Sequence, residues 1–423
     1  MPESCSRAFH LECAPLTLDK RWAAPCFANQ SGGYLELLYG SLDGDDTASS
    51  FQPPELLEAS SACKADAVAT FLDEQGRWRE QLLATTVNRP GRVAIVGAGV
   101  IGLSVALELA PLGYEITIFH DRPLLETTST IAAGLIEPVA PPEAPDARQV
   151  VLDAFGYSFR SFAATVRSQP REVVMLRRIT GYRREAVEPP DWADVVDAYH
   201  LIDGRELPSP FGWGETFISF VVDPRAWVSW RAAQLTTAGV EFVHRHLESP
   251  TALVGDFDVI VNATGLYAAD FVSDTGLYRT NGHVLTVPRP LDFHEAIFDW
   301  DYPHDVVVFR YAIARAHEVV LGGTLEDVPY DAGEPALEEE IAQTIYDSVG
   351  ELVPALADLP IETYKACSRP SRAAPRLGVE RIGNTVLVHC YGTGGSGWTL
   401  GPGLARFAVE LLVAEVPPPT TPA

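Results

Sequence analysis

The stretch VAIVGAGVIGLSVALELAPLGYEITIFHD, residues 93–121, constrains the fold more than any other part of this chain. A β-branched apolar run leads into Gly97-x-Gly99-x-x-Gly102, an apolar helix continues to about Leu112, and a second strand ends at His120 and Asp121. Strand, glycine turn, helix and strand in that order form the βαβ unit that binds a dinucleotide. An acid at the end of the second strand separates it from a bare glycine motif. Gly97 permits the tight turn, Gly99 lets the backbone approach a pyrophosphate, and Gly102 lets helix and strand pack closely, so that helix amides and dipole face the phosphates. Asp121 is placed to accept a hydrogen bond from a ribose hydroxyl, with Arg122 beside it to stack on adenine or reach a phosphate.

Three later segments point to a flavin rather than a nicotinamide. TTSTIAAGLIEP, residues 127–138, sets a hydroxyl cluster before two alanines and a glycine, where backbone must come close to something flat. VVDPRAWVSWRAAQLTTAGVEFV and then DFDVIVNATGLYA read as a helix, a strand and a buried strand ending in Thr264-Gly265. TVLVHCYGTGGSGWTLGPGLARFAVELL runs a strand into a second glycine-rich turn and a helix, again aiming helix amides outward. The cofactor expected is FAD.

At 423 residues, with 47% hydrophobic and 21% charged residues, the chain has an ordinary globular composition with room for two or three domains. A formal net charge of -26 argues against nucleic acid or an anionic membrane as partner. Six scattered cysteines without a C-x-x-C pair give no zinc pattern, and no metal is expected. The first residues lack a basic stretch followed by an apolar one, so a cytoplasmic location with reduced thiols is expected. Before the fingerprint, residues 57–83 show helical spacing and NRPGR reads as a linker.

With these four segments in hand, the chain resembles the D-amino-acid oxidase family of FAD-dependent oxidoreductases, a group that includes glycine oxidase and sarcosine oxidase. The resemblance rests on VGAGVIGLS, Asp121-Arg122, the Thr-rich turn before AAGL, and YGTGGSGWT, and it runs from about residue 93 to 415. It implies an α/β two-domain flavoprotein: a Rossmann-like FAD-binding domain, an antiparallel-sheet substrate domain, and an extra N-terminal segment. The expected partition assigns 93–136, 222–275 and 367–415 to the FAD domain, and 137–221 and 276–366 to the substrate domain. Residues 1–92 are then an extension, a candidate surface for a protein partner or a homo-oligomer, and 416–423 a disordered tail.

Carried onto this sequence, the resemblance places pyrophosphate and ribose at Gly97, Gly99, Gly102, Asp121 and Arg122. It places Thr127, Thr128, Ala133, Gly134 and Leu135 along the flavin, and Val243 and Thr264 near the adenosine. Gly394, Gly397 and Thr399 cover the ring edge and ribityl chain, and the Gly395 carbonyl accepts from a substrate amine. Arg369, followed by Pro370, is the two-pronged partner of a substrate carboxylate, for which a planar guanidinium is suited. Tyr311 donates to the same carboxylate, or is an ordinary core aromatic. Arg372 and Arg376 read as structural. The implied reaction is hydride removal from the α-carbon of an amino acid, D-configured in this family, or of a related amine. An imine and then a keto acid result, and O2 reoxidises the flavin to give H2O2.

The sequence departs from the family in several places. Val307 replaces a lid tyrosine, and the lid DWDYPHDVVVF is short. Glu137 stands where vertebrate members have glutamine, and either favours a cationic or amine-bearing substrate or holds Arg310 or Arg372. His283 stands where the family has glutamine and reads as structural. Cys367 lies near the cysteine that is joined to flavin in the sarcosine-oxidase branch; basic neighbours Lys365 and Arg369 are expected to favour its thiolate, and it is a candidate for covalent attachment. An alternative function is a specialised biosynthetic flavin oxidase or dehydrogenase of an unusual or carrier-tethered amine, with the N-terminal segment binding a partner.

Overall fold

The computed structural model describes residues 71, 73–78, 91–137, 145–166, 170 and 172–418. Its strands are β1 (Arg92–Val96), β2 (Glu115–His120), β3 (Val174–Arg183), β4 (Asp197–Asp203), β5 (Trp213–Val222), β6 (Glu241–His244), β7 (Val259–Asn262), β8 (Tyr278–Pro288), β9 (Ala296–Asp299), β10 (Arg310–Ala314), β11 (Glu318–Gly322), β12 (Glu326–Val328), β13 (Thr363–Ser371), β14 (Arg376–Ile382) and β15 (Thr385–Tyr391).

Apolar runs without alternation, such as Val93 to Val96 and Val259 to Val261, need cover on both faces, and they form the centre of a parallel sheet. Its six strands run β14-β15-β7-β1-β2-β6, and only the edge strand β14 is antiparallel to its neighbour. The helix Val100–Leu109 is buried at nine of its ten positions and packs on the C-terminal helix Gly397–Glu415. The second sheet has nine strands, and its long antiparallel ladders join β3 to β5 and β8 to β13. The expected two-sheet α/β architecture is present.

The ladder between β8 and β13 shifts one expected boundary. Residues 367–371 were placed with the FAD domain, yet Cys367 pairs with Gly282 and Arg369 with Thr280 inside the second sheet. The chain crosses to the first sheet only after Ser371. Asp274 holds that crossing: its carboxylate receives the Arg372 guanidinium at 3.1 Å, that of Arg376 at 3.4 Å and the Tyr391 hydroxyl at 2.7 Å. Arg372 and Arg376 therefore have the structural role expected of them.

Residues 71 and 73–78 are helical, and most of the helix expected over 57–83 lies outside the described residues. Phe71 and Trp78 are buried, the Arg406 guanidinium covers the Trp78 ring, and the Arg406 and Tyr157 side chains both donate to Gln75 Oε1. At the other end, the Tyr114 hydroxyl donates to the Val416 carbonyl at 2.6 Å. That contact corrects the expectation that disorder begins at 416; residues 419–423 lie outside the described residues.

Burial pushes the Asp274 carboxyl up, but the Tyr391 hydroxyl, the Gly276 amide and the two arginines more than offset this, and its pKa lies below the ordinary 3.8. A carboxyl lowered by folding stabilises fully above its unfolded pKa, and the contribution is lost as pH falls through the folded value. Asp274→Ala should cost about 2–3 kcal/mol in urea denaturation at pH 7. This is less than a deeply buried pair would lose, because Arg372 and Arg376 keep some exposure. The gap to wild type should shrink below pH 4; a gap that does not change with pH would contradict this role.

Candidate active site

The glycine turn after β1 is tight for identifiable reasons. Gly97 has φ +111, and a Cβ there would meet the Ala263 carbonyl oxygen at 2.3 Å; a Cβ on Gly102 would meet the Gly97 carbonyl oxygen at 1.9 Å. The Gly97 amide donates to Phe119, and the Ala263 amide to Val96, so the ends of β1, β2 and β7 are pinned together. Gly99 is the extended N-cap of the helix Val100–Leu109. The Val100 amide donates to the Ser129 hydroxyl at 3.0 Å, and the Ser129 carbonyl accepts from the Trp398 indole at 3.0 Å. Ser129 thus joins the two glycine-rich turns.

These turns open on a cavity of about 970 Å³, at the upper end of what small-molecule and cofactor sites occupy. Gly97, Gly99, Asp121, Arg122, Thr127, Thr128, Ala133, Gly134, Leu135, Thr264, Gly394, Gly395, Gly397 and Thr399 all line it, as do Arg369, Tyr311 and Cys367. Gly102 does not reach the lining; it acts as expected, in helix-to-turn packing. Val243 does not reach it either. Its side chain packs beside Phe119 and Leu247, and the lining at this edge comes from Arg245, His246 and Leu247. At the rim Asp121 is paired with Arg122 at 3.2 Å.

The segment carrying Ala133 to Glu137 is fixed from the second sheet and from the C-terminal helix. Gly134, at φ +82, lies so close to β5 that a Cβ would meet the Val222 carbonyl oxygen at 2.1 Å. Buried Arg315, beyond β10, donates to the Ala132 and Ala133 carbonyls. Thr399 completes the hold: its hydroxyl donates to the Glu137 carbonyl at 2.8 Å and accepts from the Glu137 amide at 3.2 Å.

On the second sheet, three glycines leave bare backbone under flat side chains. A Cβ on Gly282 would lie 2.3 Å from Arg369 Nη2, one on Gly322 would lie 2.3 Å from the Tyr311 hydroxyl, and one on Gly181 would lie 2.6 Å from Trp300 Nε1. Arg369 donates from Nη1 to the carbonyls of Asn281, at 3.1 Å, and Thr324, at 3.3 Å. Among the described residues no carboxylate pairs with it. Burial raises the Tyr311 hydroxyl above its usual range, against an opposing pull from Arg369, so the phenol stays protonated as a donor. Phe298, Trp300 and Phe309 continue from Tyr311 as an aromatic wall, with Phe298 and Trp300 stacked at 4.6 Å.

Val307, Cys367 and Glu137 depart from expectation, whereas His283 does not. Val307 is buried in a core with Phe293 and Ile297 and does not line the cavity; Trp300 and Phe309 do. Burial raises the Cys367 thiol, and although Arg369 opposes this, the net shift disfavours the thiolate. Arg310 pairs with Asp299 at 3.0 Å and Arg372 with Asp274, so Glu137 holds neither. His283 is buried, bonds Tyr364 at 2.7 Å through Nδ1, and is structural. Sequence reasoning missed Ser129, Trp300 and the pair Arg183 and Glu215. For Ser129 the hydroxyl-rich run TTST was the available signal; the others depend on strand register.

Comparison with known proteins agrees with this geometry. Residues 92–411 match the family described as DAO, FAD dependent oxidoreductase. The D-amino-acid oxidase of Rubrobacter xylanophilus is 30% identical over 328 residues, covering 77% of this chain and 97% of that one. Human D-aspartate oxidase is 28% identical over 333 residues, covering 76% and 94%. Among solved structures, glycine oxidase from Bacillus cereus shares the fold with a TM-score of 0.60 at 20% identity, over 77% of this chain and 95% of that one. L-proline dehydrogenase from P. horikoshii does so with a TM-score of 0.62 at 13% identity, over 78% and 94%. Among the described residues no helix is long and apolar enough to cross a membrane. With its βαβ turn, second glycine-rich turn and two-sheet cavity matched over three quarters of its length, the chain belongs to the DAO family of FAD-dependent oxidoreductases.

Proposed function

We propose that this FAD-dependent enzyme oxidises the α-carbon of a D-amino acid, giving an imine that hydrolyses to a keto acid. The observation that carries the reading is Arg369. Its guanidinium faces the cavity beside a protonated phenol, held by backbone carbonyls and unpaired with any carboxylate of the described residues. A partly buried cation in that state is stabilised by an anionic ligand, and the paired N–H geometry suits a carboxylate. The Gly395 carbonyl is the proposed acceptor for the substrate amine; Gly395 lies next to Arg369, a Cβ there being 3.5 Å from Arg369 Cδ. Two anchors on the α-substituents leave the α-hydrogen one direction to point, so alignment replaces a side-chain base. The D-configuration is supported by the relatives named D-amino-acid oxidase and D-aspartate oxidase.

The bare turns at Gly97 and Gly99 and the acid Asp121 fit a dinucleotide, and Thr127, Thr128, Ala133, Gly134, Leu135, Thr264, Gly394, Gly397 and Thr399 are proposed to hold the rest of FAD. When bound, FAD supplies the two-electron oxidation, and O2 regenerates it with release of H2O2.

Anaerobic mixing of the holoenzyme with D- and L-amino acids, glycine and sarcosine should bleach the oxidised flavin band with D-amino acids only. Arg369→Ala should lose about 3 kcal/mol of carboxylate binding while keeping its flavin spectrum. Bleaching by L-amino acids, or an unchanged affinity in the variant, would remove the reading. Absence of reduction by any of them would favour an unusual or carrier-tethered amine as substrate. Because the Cys367 thiolate is disfavoured, acid precipitation should release all flavin into the supernatant; colour retained in the pellet would show a covalent bond after all.

A further inference from the structure

The proposed substrate site has a second charged end, distinct from the one at Arg369. The aromatic wall of Tyr311, Phe298 and Trp300 leads across the sheet from β10 towards Arg183 on β3 and Glu215 on β5, and Glu137 joins them in the cavity lining. Glu215 is buried. It accepts from the Tyr199 hydroxyl at 3.1 Å, and lies 3.5 Å from Arg183. Arg183 is shared with a second acid, Asp301, also at 3.5 Å, and its guanidinium lies over the Trp300 ring at 5.3 Å.

Glu137 differs from both. Its backbone is clamped by Thr399, but among the described residues its carboxyl makes no hydrogen bond and no ion pair. Glu137 is half-buried and lines the cavity. Burial first, and Glu215 second, push this carboxyl well above its usual range, and Arg183 only partly opposes them. One guanidinium, already committed to Glu215 and Asp301, thus faces a further acid in the cavity lining that it does not reach. A carboxyl raised in this way is stabilised as an anion when a further cationic group is brought against it.

We propose that the site takes α-amino acids whose side chain ends in a cation, an ammonium or a guanidinium, with Arg369 holding the α-carboxylate and Glu137, backed by Glu215, holding the distal charge. The proposal rests on the amino-acid oxidase reading above, and it adds the substrate's side chain. The aromatic wall between the two ends suits the methylene stem of such a side chain, which covers apolar surface while its head remains hydrogen-bonded.

The test is steady-state oxidation of D-ornithine, D-lysine and D-arginine against D-norleucine, an uncharged chain of similar length, and D-glutamate. The best cationic substrate should exceed D-norleucine in kcat/KM by about tenfold or more, with D-glutamate poorest. In Glu137→Gln that ratio should fall about tenfold or more, and Glu215→Gln should lower it in the same direction, providing a second variant should the first not fold. D-norleucine oxidised as well as the cationic substrates by wild type, or a ratio unmoved in a folded variant, would overturn the proposal while leaving the oxidase reading in place. Reduction of the flavin by no α-amino acid at all would overturn both.

Discussion

Arg369 lies flush on a β-sheet because the strand beneath it has no side chain at Gly282. Any larger residue would lift the guanidinium off the backbone and away from the Asn281 and Thr324 carbonyls that orient it. Those carbonyls satisfy part of the cation's hydrogen bonding and none of its charge. A cation kept in a cavity on those terms favours an anionic ligand, and the planar fork favours a carboxylate. Gly322 beneath Tyr311 and Gly181 beneath Trp300 repeat the device, so the proposed substrate face is a row of flat side chains on bare backbone.

Such a face serves an oxidoreductase only if it is held at a fixed position relative to the cofactor cradle. Three contacts accomplish this across the two sheets. Arg315 grips the Ala132 and Ala133 carbonyls, Thr399 exchanges hydrogen bonds with the Glu137 backbone, and Asp274 gathers Arg372, Arg376 and Tyr391 where the chain returns to the first sheet. Each is a buried or half-buried polar contact whose loss would shift one wall of the cavity against the other.

The cofactor half of the molecule was legible in the sequence because its signals are local. A buried strand, glycines at fixed spacing and a terminal acid occupy 29 consecutive residues, 93 to 121, and their geometry follows from that order alone. The half built on the second sheet depends on pairings between distant residues. That β13 belongs with β8, which puts Cys367 opposite Gly282, spans some eighty positions and cannot be read from either strand. Val307 was the natural candidate at the lid position, but it turns into the second core, while Trp300 and Phe309 face the cavity. Glu137 was noticed for its residue type. Its neighbours Arg183 and Glu215 emerged only from the β3–β5 ladder, and the reversed shift at Cys367 came from burial that a count of nearby lysines and arginines does not include.

The central claim is that Arg369 recognises a carboxylate on the substrate. The most direct measurement compares anaerobic flavin reduction by D-alanine and by D-alaninamide, in which a neutral amide replaces the carboxylate. A reduction efficiency for D-alanine about a hundredfold or more above that of the amide is predicted, the scale of a lost partner to a buried charge. Equal efficiency for the two would contradict the account.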